Sequence, residues 1–122
     1  MSAGTSVTSV ARAQASGEAA QAVPELIAEL RAGLGQVAAA AVLYFASTRF
    51  HPDEVVGPLA AAFPEAAVIG CSTAGEFTDA RTTTGGITAV ALPQGIVGTA
   101  TAALGDLSQG VSAGVTAAIE QV

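Results

Sequence analysis

The most informative stretch of the sequence is VIGCSTAGEF, residues 68–77. Its first four residues belong to a continuous apolar run over residues 66–71, and the rest follow that run. A run of this kind is typical of a strand buried in a sheet. The run passes directly into small hydroxyl residues and then reaches Glu76. In open α/β sheets, ligands bind beyond the carboxyl ends of the strands, so residues 70–76 are the first candidate for a binding site.

The apolar pattern on either side of this stretch predicts the remaining strands and helices. The predicted elements begin with a short edge strand, or alternatively a frayed terminus, over residues 5–12. They continue with a helix over 16–34, a strand over 37–46, a helix over 52–63, the strand over 66–71, an antiparallel hairpin over 87–92 and 96–103, and a final helix through Val111, Val115 and Ile119. This β-α-β-α-β-β-β-α order predicts an α/β fold, a layered sandwich with a mixed, partly parallel sheet. We expect one domain over residues 1–122, with residues 1–4 disordered.

Residues with strong preferences for helix ends indicate where the helices begin. Ser16 is a candidate N-cap of the first helix, and Pro24 either kinks that helix or begins its regular part. Pro52 suits the first turn of the second helix, where the Asp53 carboxylate favours the positive end of the helix dipole. Ser108 is a candidate cap for the final helix.

The composition limits the class of partner. Of the 122 residues, 51% are hydrophobic but only 4% are aromatic, so small aliphatic side chains must fill the core. Ten acidic residues against four arginines give a net charge of -6. A field of this sign does not attract nucleic acid or an anionic membrane surface, so we expect neither as a partner.

Single copies of cysteine and histidine exclude several kinds of site. Cys71 has no second cysteine for an internal disulfide or a zinc site, and His51 has no second histidine for a multi-histidine metal site. Because Cys71 ends an apolar run, we expect its thiol to be buried and unreactive. We therefore predict no catalytic residue and no metal site, and we expect no cofactor.

The sequence shows neither a membrane span nor a secretory leader, although its mean hydropathy is +0.56. The longest apolar run covers residues 37–46, about half of the roughly 20 residues that a transmembrane helix needs. The N-terminus lacks a basic segment followed by an apolar one. These observations predict a cytoplasmic protein.

The motif GCSTAGE at residues 70–76 resembles that of the FIST sensory domain family, in which a G-[GC]-S-T-A-G-E-type motif follows an apolar strand. The strand ending in YFAS at residues 44–47 and the Gly85-Gly86 entry to a Val- and Ala-rich strand are also similar to elements of that family. The resemblance extends over most of residues 5–122. The N-terminal part of the family is longer than this chain, and a C-terminal part normally follows it, so the resemblance implies an incomplete domain.

The resemblance implies a small-ligand-sensing, non-catalytic domain of prokaryotic signal transduction. Members of the family are often attached or adjacent to histidine kinases, chemoreceptors or cyclic-nucleotide output domains. The implied partners are a small polar metabolite such as an amino acid, and the C-terminal FIST part or an output domain. Carried over to this sequence, the ligand-binding positions are Gly70, Ser72, Thr73, Ala74, Gly75 and Glu76.

The chemistry of these residue types suits a polar ligand. Ser72 and Thr73 offer hydroxyl groups, Glu76 can receive an amine, and the glycines allow backbone N–H groups to approach a ligand. Arg49 follows the second predicted strand and is the arginine best placed to meet an anionic group. The same glycines can equally serve packing in a tight connection, and Glu76 can equally be a solvated loop acid.

Three other functions are compatible with the sequence. A sheet that is cut short leaves an unpaired edge, which favours a homo-oligomer and a scaffold role without a ligand. Some members of the family are described as haem proteins that respond to nitric oxide, and His51 would then be the haem ligand, although it also suits a surface position at a helix start. A serine or thiol hydrolase would use Ser72 or Cys71 as nucleophile, with His51 and Asp53 beside it.

Overall fold

The computed structural model describes residues 10–73, 76–77, 82–83 and 85–122, and for the two short middle ranges it describes the backbone alone. Within these ranges the chain forms a four-stranded sheet, a two-stranded sheet and three α-helices. The disorder expected for residues 1–4 lies outside the described residues.

Strands and helices follow one another in the predicted α/β order. The strands are β1 (Ala11–Ala15), β2 (Ala39–Ser47), β3 (Ala67–Thr73), β4 (Glu76–Phe77), β5 (Thr82–Thr83) and β6 (Ile87–Pro93). The helices are α1 (Ala19–Leu34), α2 (Pro52–Ala62) and α3 (Val111–Glu120), with a 3₁₀ helix at Leu107–Gln109. None of the helices in the described part of the chain has the length and apolar character needed to cross a membrane.

The main sheet is mixed and partly parallel, as predicted, with the strand order β1-β6-β2-β3. Strands β2 and β3 are parallel, and β6 is antiparallel to both of its neighbours. Strands β4 and β5 pair in a separate two-stranded sheet. Because β6 opposes both β1 and β2, strands β1, β2 and β3 all run in one direction, and their carboxyl ends meet at one edge of the sheet.

The predicted hairpin over residues 87–92 and 96–103 is wrong in its second strand. β6 forms as expected, but residues 96–103 form no strand. The chain turns after β6 instead, where the N–H groups of Ile96 and Val97 donate to the carbonyl of Pro93 at 2.9 and 3.0 Å. The physical reason is that both edges of β6 are already paired, one with β1 and the other with β2, so a following strand has no edge to join.

The prediction of a buried strand over residues 66–71 is also wrong. β3 pairs with β2 along one edge and, within the described residues, ends the sheet order on the other. Its residues are exposed or only half-buried, and Ile69 is 38% exposed. β2 was expected to be covered on both faces, yet Phe45 is 39% exposed. An apolar run alone does not reveal whether its strand lies at the centre or at the edge of a sheet.

The core lies between one face of the sheet and helices α1 and α2. The strands cover this face largely with alanine, including the buried Ala11, Ala13 and Ala15 of β1 and Ala89 and Ala91 of β6. The fully buried side chains that the two helices contribute include Leu26, Leu30, Val55 and Leu59. Small side chains on the sheet therefore meet large ones on the helices, as the low aromatic content requires.

The close approach of α1 to β1 is visible at Gly33. A Cβ atom at this position would lie 2.8 Å from the Cβ of Ala11, which is closer than real Cβ atoms approach. α1 also protects β1 at the edge of the sheet, because Glu29 Oε1 accepts the Gln14 backbone N–H at 2.9 Å. Helix and strand are therefore joined by both packing and a hydrogen bond.

The start of α2 agrees with the sequence, whereas the start of α1 does not. α2 begins at Pro52, and His51 and Glu54 form a capping box there. The predicted cap Ser16 is not used, since α1 begins directly after Glu18, whose side chain makes no cap hydrogen bond. A helix can begin without a side-chain cap when its first N–H groups remain open to water.

Two further expectations concern helix ends. Of the two alternatives for Pro24, the start of the regular helix is wrong, because Pro24 lies within α1. Ser108 lies inside the 3₁₀ helix instead of capping α3, and its backbone N–H donates to the Asp106 carboxylate at 2.8 Å. Hydrogen bonds from Ser108 lower the pKa of the Asp106 carboxyl because they stabilise its charged form.

Substitution of two helical glycines by alanine should affect stability to different degrees. Gly33→Ala should lower the free energy of unfolding by about 1–3 kcal/mol, because the new methyl group pushes α1 away from β1. Gly57→Ala in α2 should change it by less than about 0.5 kcal/mol, because its Cβ meets nothing within 4 Å beyond its chain neighbours, while the following Pro58 offsets the helix preference of alanine. Urea unfolding measures both changes in the free energy of unfolding, and the m values of the variants should equal that of the unmodified chain. A stabilising Gly33→Ala would contradict the close packing.

Candidate functional site

The carboxyl edge of β1, β2 and β3 is where the connections of the fold converge. The chain leaves this edge through Gly17 after β1, through residues 48–51 after β2 and at Thr73, the last residue of β3. β6 enters the sheet at the same edge, directly after Gly86. The Ser47 N–H donates to the Gly86 carbonyl at 2.9 Å, which joins the end of β2 to the start of β6.

Arg49 holds three of these connections together. Its Nε donates to the Gly85 carbonyl at 2.7 Å, and its Nη2 donates to the Gly17 carbonyl. The guanidinium carbon also lies 4.4 Å from the centroid of the Phe50 ring. Two nitrogens of Arg49 are therefore used within the fold, and its contact with an anionic ligand stays a prediction.

Gly70 is the motif position at which the structure requires a glycine. It lies in β3 opposite Tyr44 of β2, and a Cβ atom there would collide with the Tyr44 carbonyl oxygen and ring. Burial raises the pKa of the Tyr44 phenol, and the charge of an ionised Cys71 would raise it further. The phenol of Tyr44 therefore keeps its proton at neutral pH.

An open cleft adjoins Gly70, and we name it the Gly70 cleft. It consists of two cavities of about 440 and 120 Å³, whose linings share Tyr44, Pro52 and Gly70. The larger is lined in addition by Val56, Val68, Ile69, Ala102, Ala103, Leu104 and Gln121, and the smaller by Ala46, Ser47, Phe50, Val55, Cys71 and Ser72. The larger volume lies within the range of about 300–1,000 Å³ that is usual for small-molecule sites.

The structure brings only part of the predicted site to this cleft. Gly70 and Ser72 line it, whereas Arg49 is not among its lining residues. Thr73 follows Ser72 in β3, so its side chain points to the opposite face of the sheet. The two hydroxyl groups therefore do not converge on one ligand within the cleft.

The predicted loop over residues 72–76 is largely strand. Ser72 and Thr73 belong to β3 because Ala46 and Ser47 of β2 continue the parallel pairing beside them. Glu76 begins β4, and the structure describes its backbone there. The other two predicted site residues, Ala74 and Gly75, lie outside the described residues.

The thiol of Cys71 is exposed, which corrects the prediction of a buried cysteine. The reason is the position of β3 at the edge of the sheet, where residues of an apolar run remain open to solvent. Exposure removes the argument from burial that this thiol is unreactive.

His51 acts as the N-cap of α2. Its Nδ1 accepts the Asp53 backbone N–H at 3.3 Å, and its own backbone N–H donates to Glu54 Oε1 at 2.9 Å. In a catalytic triad the histidine Nδ1 donates its proton to the acid, whereas here it accepts a backbone N–H. The arrangement of His51 and Asp53 is that of a helix cap.

The surroundings of His51 do not fit a haem. Its side chain is 68% exposed, and His51 does not line either cavity of the Gly70 cleft. A haem needs a pocket that covers the macrocycle around its axial ligand. Across residues 10–73 and 85–122, no group of three or more His, Cys, Asp or Glu residues could hold a metal ion.

A larger hollow of about 720 Å³ lies between α1 and α2, away from the motif. Alanine, proline and aliphatic side chains make up most of its wall, with Arg31 and Glu54 as the charged members. Arg31 donates to the Ala62 carbonyl at 3.4 Å, and Glu54 completes the capping box. The groove offers fewer neutral hydrogen-bonding side chains than the Gly70 cleft, so we regard the Gly70 cleft as the candidate site.

Several lining residues were missed by sequence reasoning. Tyr44 was recognised as part of a strand, but its contact with Gly70 depends on the register of β2 and β3. Pro52 was recognised only as a helix start, and Leu104 and Gln121 had no motif at all. Residues this far apart in the chain carry no local signal that they share one cavity.

A comparison with protein families gives one match. The family model described as the FIST N domain matches residues 40–122. The matched region extends from β2 to α3 and includes every lining residue of the Gly70 cleft. No curated protein and no solved structure matches the chain.

Replacement of Arg49 by lysine should loosen the carboxyl edge. Lysine keeps the charge but cannot span the Gly17 and Gly85 carbonyls, so Arg49→Lys should lower the free energy of unfolding by about 1 kcal/mol. Amide hydrogen exchange should quicken at residues 17–18 and 85–86. The matched control Arg31→Lys loses one long hydrogen bond, while a lysine can keep the cation–π contact with the Phe63 ring, so it should change stability by less than about 0.5 kcal/mol. Equal effects of the two substitutions would contradict the role of Arg49.

Proposed function

The chain belongs to the FIST N domain family, a family of sensory domains in signalling, and on this basis we propose that it senses a small ligand at the Gly70 cleft without catalysing a reaction. The observation that carries the proposal is that the strand of the family motif, β3, forms a wall of this cleft. A cavity of about 440 Å³ is large enough for a small metabolite.

The position of the cleft supports a mechanism by population shift. Its larger cavity lies between β3 and α2 on one side and the segment of Ala102–Leu104 with Gln121 on the other. A ligand there contacts the sheet and the C-terminal segment at the same time. The ligand will favour the arrangement of sheet and C-terminal segment that it binds more tightly. The resulting change in the populations of the arrangements is the signal.

The chemistry of the described residues supports a non-catalytic role. Ser72 and Cys71 are the nucleophiles of the motif strand, and His51 is the only histidine that could serve them as a base. The Nδ1 of His51 accepts the Asp53 backbone N–H in the cap of α2 and lies 3.8 Å from Asp53 Oδ2, which is beyond hydrogen-bond distance. A nucleophile without a positioned base contributes little at neutral pH.

The proposed partners follow from the family. We propose that the ligand is a small metabolite, and that a C-terminal FIST part or an output domain of a prokaryotic signalling protein receives the signal. Movement of the segment that contains Leu104 would reach α3 through Gln121, whose Nε2 donates to the Leu104 carbonyl at 2.8 Å. The cytoplasmic location expected from the sequence stays a prediction.

A thermal-shift screen of amino acids and neutral metabolites tests the sensing proposal. A ligand at ten times its Kd should add about 1.4 kcal/mol of stability, which corresponds to a rise of several degrees in Tm. Ser72→Ala should reduce the rise, because Ser72 lines the cleft. Thr73→Ala is the matched control, because its side chain lies on the other face, and Glu76→Gln tests the predicted amine contact. Failure of every ligand in the screen, or equal loss with Ser72→Ala and Thr73→Ala, would contradict the proposal.

A second candidate function, assembly through a second copy of the chain, is favoured by two uncovered apolar surfaces. α3 packs mainly on the 3₁₀ helix, and its Val111, Val115 and Ile119 are exposed. The face of the sheet opposite α1 and α2 carries Phe45 and Ile69, which are also exposed. Apolar surfaces of this kind mark interaction sites. Two copies related by a two-fold axis can bury both, each placing α3 on the open sheet face of the other.

The assembly candidate predicts a dimer that one charge abolishes. Sedimentation velocity should show dimers at tens of micromolar for the unmodified chain and monomers for Val115→Glu, because the new carboxylate cannot be buried without a partner. Thr116→Glu adds the same charge to the exposed polar side of α3 and should leave the dimer intact. A strict monomer before any substitution would rule this candidate out.

A further inference from the structure

The walls of the Gly70 cleft are free of charged side chains among the described residues that line it. Most of its lining consists of alanine, valine, proline and other apolar side chains. The polar residues of its lining are neutral, namely Tyr44, Gln121, Ser47, Ser72 and Cys71. A ligand in the cleft would therefore meet a mainly apolar surface with a few neutral hydrogen-bonding groups.

Charged side chains on the adjoining connections are used by the fold. Glu54 Oε1 accepts the His51 backbone N–H, and Arg49 donates to two backbone carbonyls. Asp53 is 88% exposed at the start of α2, where water surrounds it. In the described part of the chain, neither a cation for a carboxylate nor an anion for an ammonium group lines the cleft.

A zwitterion would be a poor guest in such surroundings. Its charged groups would lose part of their water on entering the cleft and would meet no charged partner among the described residues that line it, and even partial loss of hydration costs a charge more than it costs a neutral polar group. A neutral molecule of the same size loses less hydration and gains contact with the apolar walls. The charge of a ligand therefore distinguishes a neutral molecule from a zwitterion of the same size, which the shape of the cleft alone would not do.

Tyr44 supplies a polar anchor within the apolar lining. Gly70 leaves the space in which the Tyr44 ring lies across β3. The phenol keeps its proton at neutral pH, since the usual pKa of tyrosine is about 10 and burial raises it further, so it can both donate and accept a hydrogen bond. One group of this kind satisfies one polar atom of a guest.

We infer that the Gly70 cleft takes a neutral small molecule with an apolar body and few hydrogen-bonding groups, and not an amino acid. The inference rests on the proposed function and narrows the ligand class that membership of the family implies. A cavity of about 440 Å³ accommodates a body of the size of one aromatic ring.

Three probes that share a benzene ring test the inference. Benzyl alcohol is neutral, benzoate is an anion and L-phenylalanine is a zwitterion. Each is titrated into the full chain while amide resonances are followed by two-dimensional NMR. We expect benzyl alcohol at millimolar concentration to shift residues 68–72 and 102–104. Benzoate and L-phenylalanine should bind at least about tenfold more weakly.

Two substitutions locate the binding. Tyr44→Phe keeps the ring but removes the phenol, so it should weaken benzyl alcohol by about tenfold. Ala103→Phe fills the larger cavity and should abolish the shifts. Ala60→Phe adds the same side chain at an exposed position of α2 that does not line the cleft, and it should leave the binding unchanged. Urea unfolding checks that each variant is folded, and Tyr44→Phe stands as the test if Ala103→Phe is not.

The outcomes separate this inference from the proposed function. Charged probes that bind at the cleft as tightly as benzyl alcohol would overturn the neutral class and leave ligand sensing intact. If no probe shifts the cleft residues while some metabolite in the thermal-shift screen stabilises the chain, the inference is wrong and the sensing proposal survives. If no compound of any class binds, both fail.

Discussion

The close approach of α1 to an alanine-covered face of the sheet is the constraint on which the rest of the structure depends. A core with few aromatic side chains reaches normal packing density only if its backbones come near to one another. Ala11 lies below Gly33, where even one methyl group more would collide. This contact sets the height of the helices above the sheet, and with it the position of the connections that leave the carboxyl edge.

Arg49 fixes the connections at the carboxyl edge of the sheet, next to the candidate site. Its guanidinium joins the carbonyls of Gly17 and Gly85, so the connections after β1 and before β6 are held at a defined distance from the end of β2. The Gly70 cleft lies beside this edge, and small residues again shape it: Gly70 leaves room for the Tyr44 ring, and Ala102 and Ala103 line the larger cavity. Small residues therefore allow close backbone packing in the core, while other small residues leave space for a cleft at the edge of the sheet.

Sequence reasoning found the strand of the candidate site but not its shape. The motif pointed to residues 70–76, and Gly70 and Ser72 do line the cleft. It grouped Thr73 with Ser72 because the two are neighbours in the chain, yet neighbours in a strand face opposite sides. It could not show that Arg49 also binds two backbone carbonyls, because these carbonyls belong to connections that are distant in the chain. The cleft also uses Gln121, which no local pattern marked.

The sequence by itself determined the α/β class, the alternation of strands and helices as far as β3 and the start of α2 at Pro52. These features depend on apolar periodicity and end preferences that act within a few residues. Only the tertiary structure decided that β6 lies between β1 and β2, that β3 is at the edge of the sheet, and that Gly70 faces Tyr44. Strand neighbours depend on which backbone edges remain unpaired once the whole chain is packed, and no short stretch of sequence contains that information.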